Sequence, residues 1–157
     1  MIIKGLVDED FVNYKLPSMF VIFPYCTFKC EKECGKSCCQ NSEIAKLPLI
    51  KIDVKEIVDR YIRNPISKAI VFGGLEPFDS FEEMLDLIKE FRKFMNDDIV
   101  IYTGYNKHEI TSQLNLLYPF GNIIIKYGRY IPDRESSESL LLGVKLASDN
   151  QYAERLC

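Results

Sequence analysis

Apolar positions along this chain switch repeatedly between two periods. Met19-Phe20-Val21-Ile22-Phe23 is an unbroken apolar run, and residues 18–23 are predicted to form a buried strand. From Val54 the spacing becomes helical. Val54, Ile57, Val58, Tyr61 and Ile62 share one face, Asp53 with Glu56 reads as a capping box, and Asn64-Pro65 stops the helix. Ala69-Ile70-Val71-Phe72 is a second short apolar run, closed by Gly73-Gly74. Ser80 with Glu83 then predicts a capped helix whose Phe81, Met84, Leu85, Ile88, Phe91 and Met95 lie together. Ile99-Val100-Ile101-Tyr102 is the next strand. It is followed by Thr103-Gly104-Tyr105 and by a helix that Asn106 and Glu109 cap and that carries Ile110, Leu114 and Leu117. Asn122 to Ile125 is strand-like again, and one more strand is expected within Ser139 to Leu146. Residues 1–16 are mixed and suit a hairpin or an edge strand.

Strands alternating with helices in this way predict parallel βαβ units and an α/β fold. Ligands of such sheets bind at the carboxyl ends of the strands. The segment after Phe23, the Gly73-Gly74 turn and Thr103-Gly104-Tyr105 all follow strands, so they are expected at one sheet edge. No repeat or linker interrupts the 157 residues, which suit a single domain over 1–157. The net charge of −3 supplies no field for gathering nucleic acid, and no apolar run is long enough to span a bilayer. The opening residues lack the pattern of a secretory signal, so a cytoplasmic address without membrane attachment is expected.

Chemistry is concentrated between Cys26 and Cys39, which holds five of the six cysteines: Cys26, Cys30, Cys34, Cys38 and Cys39. Such a cluster suits a disulfide framework, a structural zinc site or an iron–sulfur cluster. A reducing cytosol disfavours the first. Zinc prefers paired C-x2-C knuckles, whereas the leading pair here is Cys26-x3-Cys30, and the one histidine, His108, is distant in sequence. A cube held by three thiolates keeps one iron open to a ligand, a catalytic arrangement. Gly73-Gly74-Leu75-Glu76-Pro77 reads as a strand-ending turn or as a place where backbone and a carboxylate meet a small ligand. Tyr102 to Tyr105 has the same two readings, a turn or a wall for a flat ring and sugar. His108 reads as solvated, Met84 and Met95 as core, Arg92-Lys93 with Asp97-Asp98 as a helix end and turn, and Cys157 as a frayed terminus outside the ligand set.

Together these segments resemble the radical S-adenosylmethionine family, and within it the small activating proteins of anaerobic ribonucleotide reductase. That family carries Cys-x3-Cys-x2-Cys after its first strand and Gly-Gly-Glu-Pro after its second. Cys26-x3-Cys30 is similar to the former, Cys39-Gln40-Asn41 to its end, and Gly73-Gly74-Leu75-Glu76-Pro77 to the latter with Leu75 inserted. Asp10-x-x-Asn13, Thr103-Gly104-Tyr105, Gly128-Arg129-Tyr130 and Ser148-x-Asn150-Gln151 resemble further family segments, in order. The chain departs from the family in the inserted Glu31–Cys38 segment, in the surplus Cys34 and Cys38, and in Tyr127, where the family has Asp.

The resemblance implies an open partial (β/α) barrel of mostly parallel strands with outer helices. It implies a [4Fe-4S] cluster on Cys26, Cys30 and Cys39, with Cys34 and Cys38 as rival third ligands. It implies S-adenosylmethionine held near Gly73, Gly74, Glu76, Thr103 and Tyr105. Reductive cleavage would give a 5′-deoxyadenosyl radical that installs a glycyl radical on a reductase, with an electron donor such as flavodoxin. No catalytic side chain is expected beyond the cluster. Two other readings stay open: a family member modifying another peptide or small molecule, and a non-catalytic zinc or iron–sulfur module.

Overall fold

A computed structural model describes residues 1–157 as a mixed α/β protein built on one six-stranded sheet. Its strands, in spatial order, are β10 (Tyr152–Arg155), β7 (Ile123–Tyr127), β6 (Asp98–Tyr102), β5 (Ala69–Gly74), β3 (Ser18–Phe23) and β2 (Gly5–Asp10). The four inner strands β3, β5, β6 and β7 are parallel, and the two edge strands run antiparallel to their neighbours. A short ladder joins β1 (Ile2–Ile3) to β4 (Ile50–Lys51), and a hairpin joins β8 (Ser137–Ser139) to β9 (Val144–Leu146).

The inner strands are mostly apolar, apart from Ser18, Asp98 and Lys126, because both of their faces are covered. Right-handed crossovers that step in one direction put every connecting helix on the same face. Thus α3 (Val54–Arg63), α4 (Phe81–Arg92) and α5 (Thr111–Leu117) pack against Met19, Val21, Phe23, Ile70, Phe72, Ile99, Ile101, Ile123, Ile125 and Tyr127. Alternate residues Ala69, Val71, Val100 and Ile124 face the other way. They are covered by Tyr14 and by Leu142 and Leu146 of the C-terminal hairpin.

Several local expectations need correction. Asp53 does cap α3, accepting from the Lys55 N–H at 2.8 Å, but Ile62 is 45% exposed and lies off the buried face. The Ser80–Glu83 box does not form. Ser80 ends a 3-10 turn over Pro77–Ser80 that runs into α4, and the Glu83 carboxylate instead accepts from the Ile2 N–H at 3.2 Å. Glu109 does accept from the Asn106 N–H at 2.8 Å, but this closes a 3-10 turn ahead of α5. Arg92 is more than a helix end: its guanidinium donates to the carbonyls of Met95, Asp97, Phe120, Gly121 and Asn122. It thereby pins the end of α4 to the starts of β6 and β7. The expected last strand is the two arms of the β8–β9 hairpin, and β10 was not foreseen. Cys157 is not frayed, because its carbonyl accepts from the Ile123 N–H and its side chain packs on the core.

Candidate metal centre

The registers bring the ends of β3, β5, β6 and β7 level, with Phe23 opposite Gly74 and Tyr102 opposite Lys126. The loops leaving those ends enclose a cavity of about 470 Å³. All eight residues nominated from the sequence line it: Cys26, Cys30, Cys39, Gly73, Gly74, Glu76, Thr103 and Tyr105. Cys34 and Cys38 do not. Their sulfurs lie 2.8 Å from each other instead.

The cysteine segment is held from several sides. Phe28, in the left-handed region at φ 53°, turns the chain into α1 (Lys29–Cys34), and its N–H donates to the Cys26 sulfur at 3.2 Å. The Thr27 N–H donates to Asp79 at 2.9 Å, and Asp79 also accepts from the Tyr105 hydroxyl at 2.6 Å. The Glu31 carboxylate accepts from the Cys39 N–H at 3.1 Å. A short helix α2 (Ser42–Ala45) follows, and Lys4 donates to the Ala45 carbonyl at its end and to the Leu47 carbonyl just beyond it. None of the residues of α1 is buried, so no apolar period announced that helix.

Gly73 and Gly74 fit their turn for steric reasons. Gly74 has φ 86°, and a Cβ there would lie 2.4 Å from Ile22 Cγ2 and 3.3 Å from its Cα. Gly74→Ala should cost about 2 kcal/mol, from left-handed strain and overpacking together. The loss would be read as a lower midpoint in denaturant titration, and an unchanged midpoint would contradict the packing described.

Glu76 is 6% exposed and joins β5 to β6. Its carboxylate accepts from the Phe78 N–H at 3.1 Å, the Thr103 hydroxyl at 2.8 Å and the Gly104 N–H at 2.8 Å. Burial pushes its carboxyl up to about 7 even though those donors favour the ionised form. Most of its accepting capacity is used within the protein, leaving little for a ligand ammonium. Tyr105 keeps a ring face in the cavity region, with the Lys29 ammonium 4.5 Å from its centroid.

Sequence reading missed Lys126. It is 8% exposed, lines the cavity, and donates only to the Gly128 carbonyl at 3.1 Å. Burial brings its ammonium down to about 8. The signal was available: a lysine directly after Ile123-Ile124-Ile125 in a fully buried strand is unusual without a partner or a task. Arg129, 7% exposed, was also missed as a site residue. It makes a bidentate pair with Glu109 at 2.6 and 2.7 Å and reaches Glu33 of α1 at 3.2 Å. The segments noted around it interlock. Gln151 donates to the Gly128 carbonyl at 3.1 Å, and Asn150 to the Arg129 carbonyl at 2.8 Å. Asn13 donates to Asp10, and its carbonyl accepts from the Tyr102 hydroxyl at 2.6 Å.

The Arg129 guanidinium holds the Glu109 carboxyl down to about 2. Its unfolded-state value is near 4.5, so between those limits the unfolded chain binds more protons. Stability of the cluster-free protein should therefore fall as pH drops through that window. Glu109→Gln should remove that part of the slope in denaturant titrations at several pH values, and an identical slope in the variant would count against the pair.

Burial pushes the Cys26 thiol up to about 11 and raises that of Cys30, where the nearby Cys39 adds to the effect. Thiols so disposed are protonated until a metal displaces their protons. The donor set is soft, as iron–sulfur clusters require. No three His, Cys, Asp or Glu side chains converge closely enough to hold a single ion.

An α/β sheet with cysteines gathered over its strand ends describes an iron–sulfur protein. A family model described as a 4Fe-4S single cluster domain matches residues 18–151, and the chain belongs to that family. No curated protein and no solved structure matches the chain significantly. No helix is long and apolar enough to cross a membrane.

Proposed function

We propose that this chain, as a single domain over 1–157, is a radical S-adenosylmethionine enzyme that activates a glycyl radical enzyme. The observation that carries the reading is one cavity lined by Cys26, Cys30 and Cys39 together with Gly73, Gly74, Glu76, Thr103 and Tyr105. Cys26, Cys30 and Cys39 would hold the cluster, with Cys34 and Cys38 turned aside. The one-directional strand order with helices on one face supports an open partial (β/α) barrel. A volume of about 470 Å³ suits a small-molecule ligand.

When bound, the cluster supplies the electron that cleaves the sulfonium C–S bond, giving methionine and a 5′-deoxyadenosyl radical. The chain's residues do the rest. Gly73 and Gly74, without side chains, let backbone approach the methionine end. Glu76 acts first as a strut that holds Thr103 and Gly104 in the cavity wall. The Lys126 ammonium, short of partners, meets the ligand carboxylate. Lys29 over the Tyr105 ring, and Arg129 paired with both Glu109 and Glu33, hold α1 beside the cavity, which would limit water. A flavodoxin-class donor would supply the cluster's electron beforehand, and the radical would take a hydrogen from a backbone glycine of a partner such as an anaerobic ribonucleotide reductase.

Anaerobically loaded, reduced protein given S-adenosylmethionine should release methionine and 5′-deoxyadenosine. With its cognate reductase it should leave a persistent glycyl radical, seen by electron paramagnetic resonance. Absence of 5′-deoxyadenosine from well-loaded protein would sink the enzymatic reading. Cleavage without a glycyl radical would sink only the choice of partner.

A further inference from the structure

The inserted Glu31–Cys38 segment carries two thiols that the cluster reading leaves without a task. Cys34 and Cys38 are absent from the cavity wall, and their sulfurs are 2.8 Å apart. That separation is only about 0.8 Å longer than an S–S bond. The Cys34 sulfur also turns back on its own loop, to the Lys36 carbonyl at 3.2 Å and the Glu31 carbonyl at 3.7 Å. Gly35, with φ 70°, closes α1 and folds the chain so that the two sulfurs meet. The residues between them, Gly35, Lys36 and Ser37, are all exposed, so a small reagent can reach the pair.

We propose that Cys34 and Cys38 form a reversible redox site, exchanging between dithiol and disulfide with a small-molecule disulfide of the glutathione class. In the first step a thiolate of the pair attacks the S–S bond of the oxidant. A mixed disulfide forms and one small thiol leaves. The second cysteine, deprotonated, then displaces the other small thiol and closes the Cys34–Cys38 bond. The pair loses two electrons and two protons, and the oxidant is reduced to two thiols. Where disulfides do form in reducing compartments, they are usually transient ones of this redox-sensing kind. The loop is coupled to Cys39 through one atom: Glu31 Oε1 accepts from both the Ser37 hydroxyl and the Cys39 N–H. Resting here on the proposed three-thiolate cluster, closure would also take two surplus sulfurs out of competition for the open iron.

The test uses cluster-loaded protein held anaerobically at a series of reduced-to-oxidised glutathione ratios. Free thiols are then alkylated, and the protein is weighed and mapped by peptide mass spectrometry. At this pair the expected product is about 2 Da lighter than the unalkylated dithiol, the two hydrogens lost on disulfide formation, and it carries no alkyl group on Cys34 or Cys38. It should be linked Cys34 to Cys38, revert with dithiol reductant, and keep its brown colour throughout. Cys34→Ser should instead trap a glutathione adduct on Cys38, and Cys38→Ser one on Cys34. No linked peptide at the most oxidising ratio, or a link through Cys26, Cys30 or Cys39, overturns the proposal. So does loss of colour in either serine variant, which would make that cysteine a cluster ligand. Colour without the disulfide refutes this inference and leaves the cluster reading standing. The disulfide without colour does the reverse.

Discussion

Replacing Cys26, Cys30 or Cys39 by Ala should abolish the brown chromophore of anaerobically reconstituted protein. Replacing Cys34 or Cys38 should leave most of it. The expectation comes from placement: the first three line the strand-end cavity, and the other two face each other outside it. The effect should be close to all or none, because a cluster deprived of one of three thiolates has no spare donor in the cavity wall. Iron and sulfide analysis beside the visible spectrum reads the result. If Cys38→Ala destroys the cluster while Cys39→Ala spares it, the assignment of the third ligand is wrong.

Glu76→Ala should be the most damaging change away from the cysteines. It would strip partners from the Phe78 N–H, the Thr103 hydroxyl and the Gly104 N–H at once. Each orphaned buried donor costs about 1–3 kcal/mol, so a total of about 3 kcal/mol or more is expected. Denaturant titration reads the stability. Calorimetry with S-adenosylmethionine reads the affinity, which should fall at least tenfold as the Thr103–Gly104 wall loosens. Iron content should stay near the native value. If stability and affinity are both unchanged, Glu76 is not a strut.

The parts of the fold legible in the sequence are those where one physical demand dominates. β3, β5, β6 and β7 are buried on both faces, so Met19 to Phe23 and Ile123 to Ile125 had to be apolar throughout. β10 was illegible because Tyr152-Ala153-Glu154-Arg155 is an edge strand with no buried side chain and so no apolar run. The Ser80–Glu83 pair had the right residues at the right spacing, but the Ile2 N–H, distant in sequence, claimed the glutamate. The cavity was legible through a topological rule, since residues that follow parallel strands collect at one edge. What that rule could not reveal was the internal wiring. From the sequence, Glu76 looked like a carboxylate free to meet a small ligand; in the fold, Phe78, Thr103 and Gly104 already take most of its accepting capacity. Lys126 was passed over because it sits inside a strand and not after one.

The cover on the face opposite the helices has a consequence for how the protein is made. Ala69, Val71, Val100 and Ile124 are capped by Leu142 and Leu146, and Lys145, Leu146, Ala147 and Gln151 complete the cavity wall. During synthesis the cysteine segment leaves the ribosome well before these closing residues. Until they arrive, that apolar sheet face has only Tyr14 over it and the cavity is open-sided, with its thiols already present. Iron loaded at that stage would meet five accessible sulfurs with no shaped site among them. The order of residues along the chain therefore favours assembly of the cluster once the closing segment has folded into place.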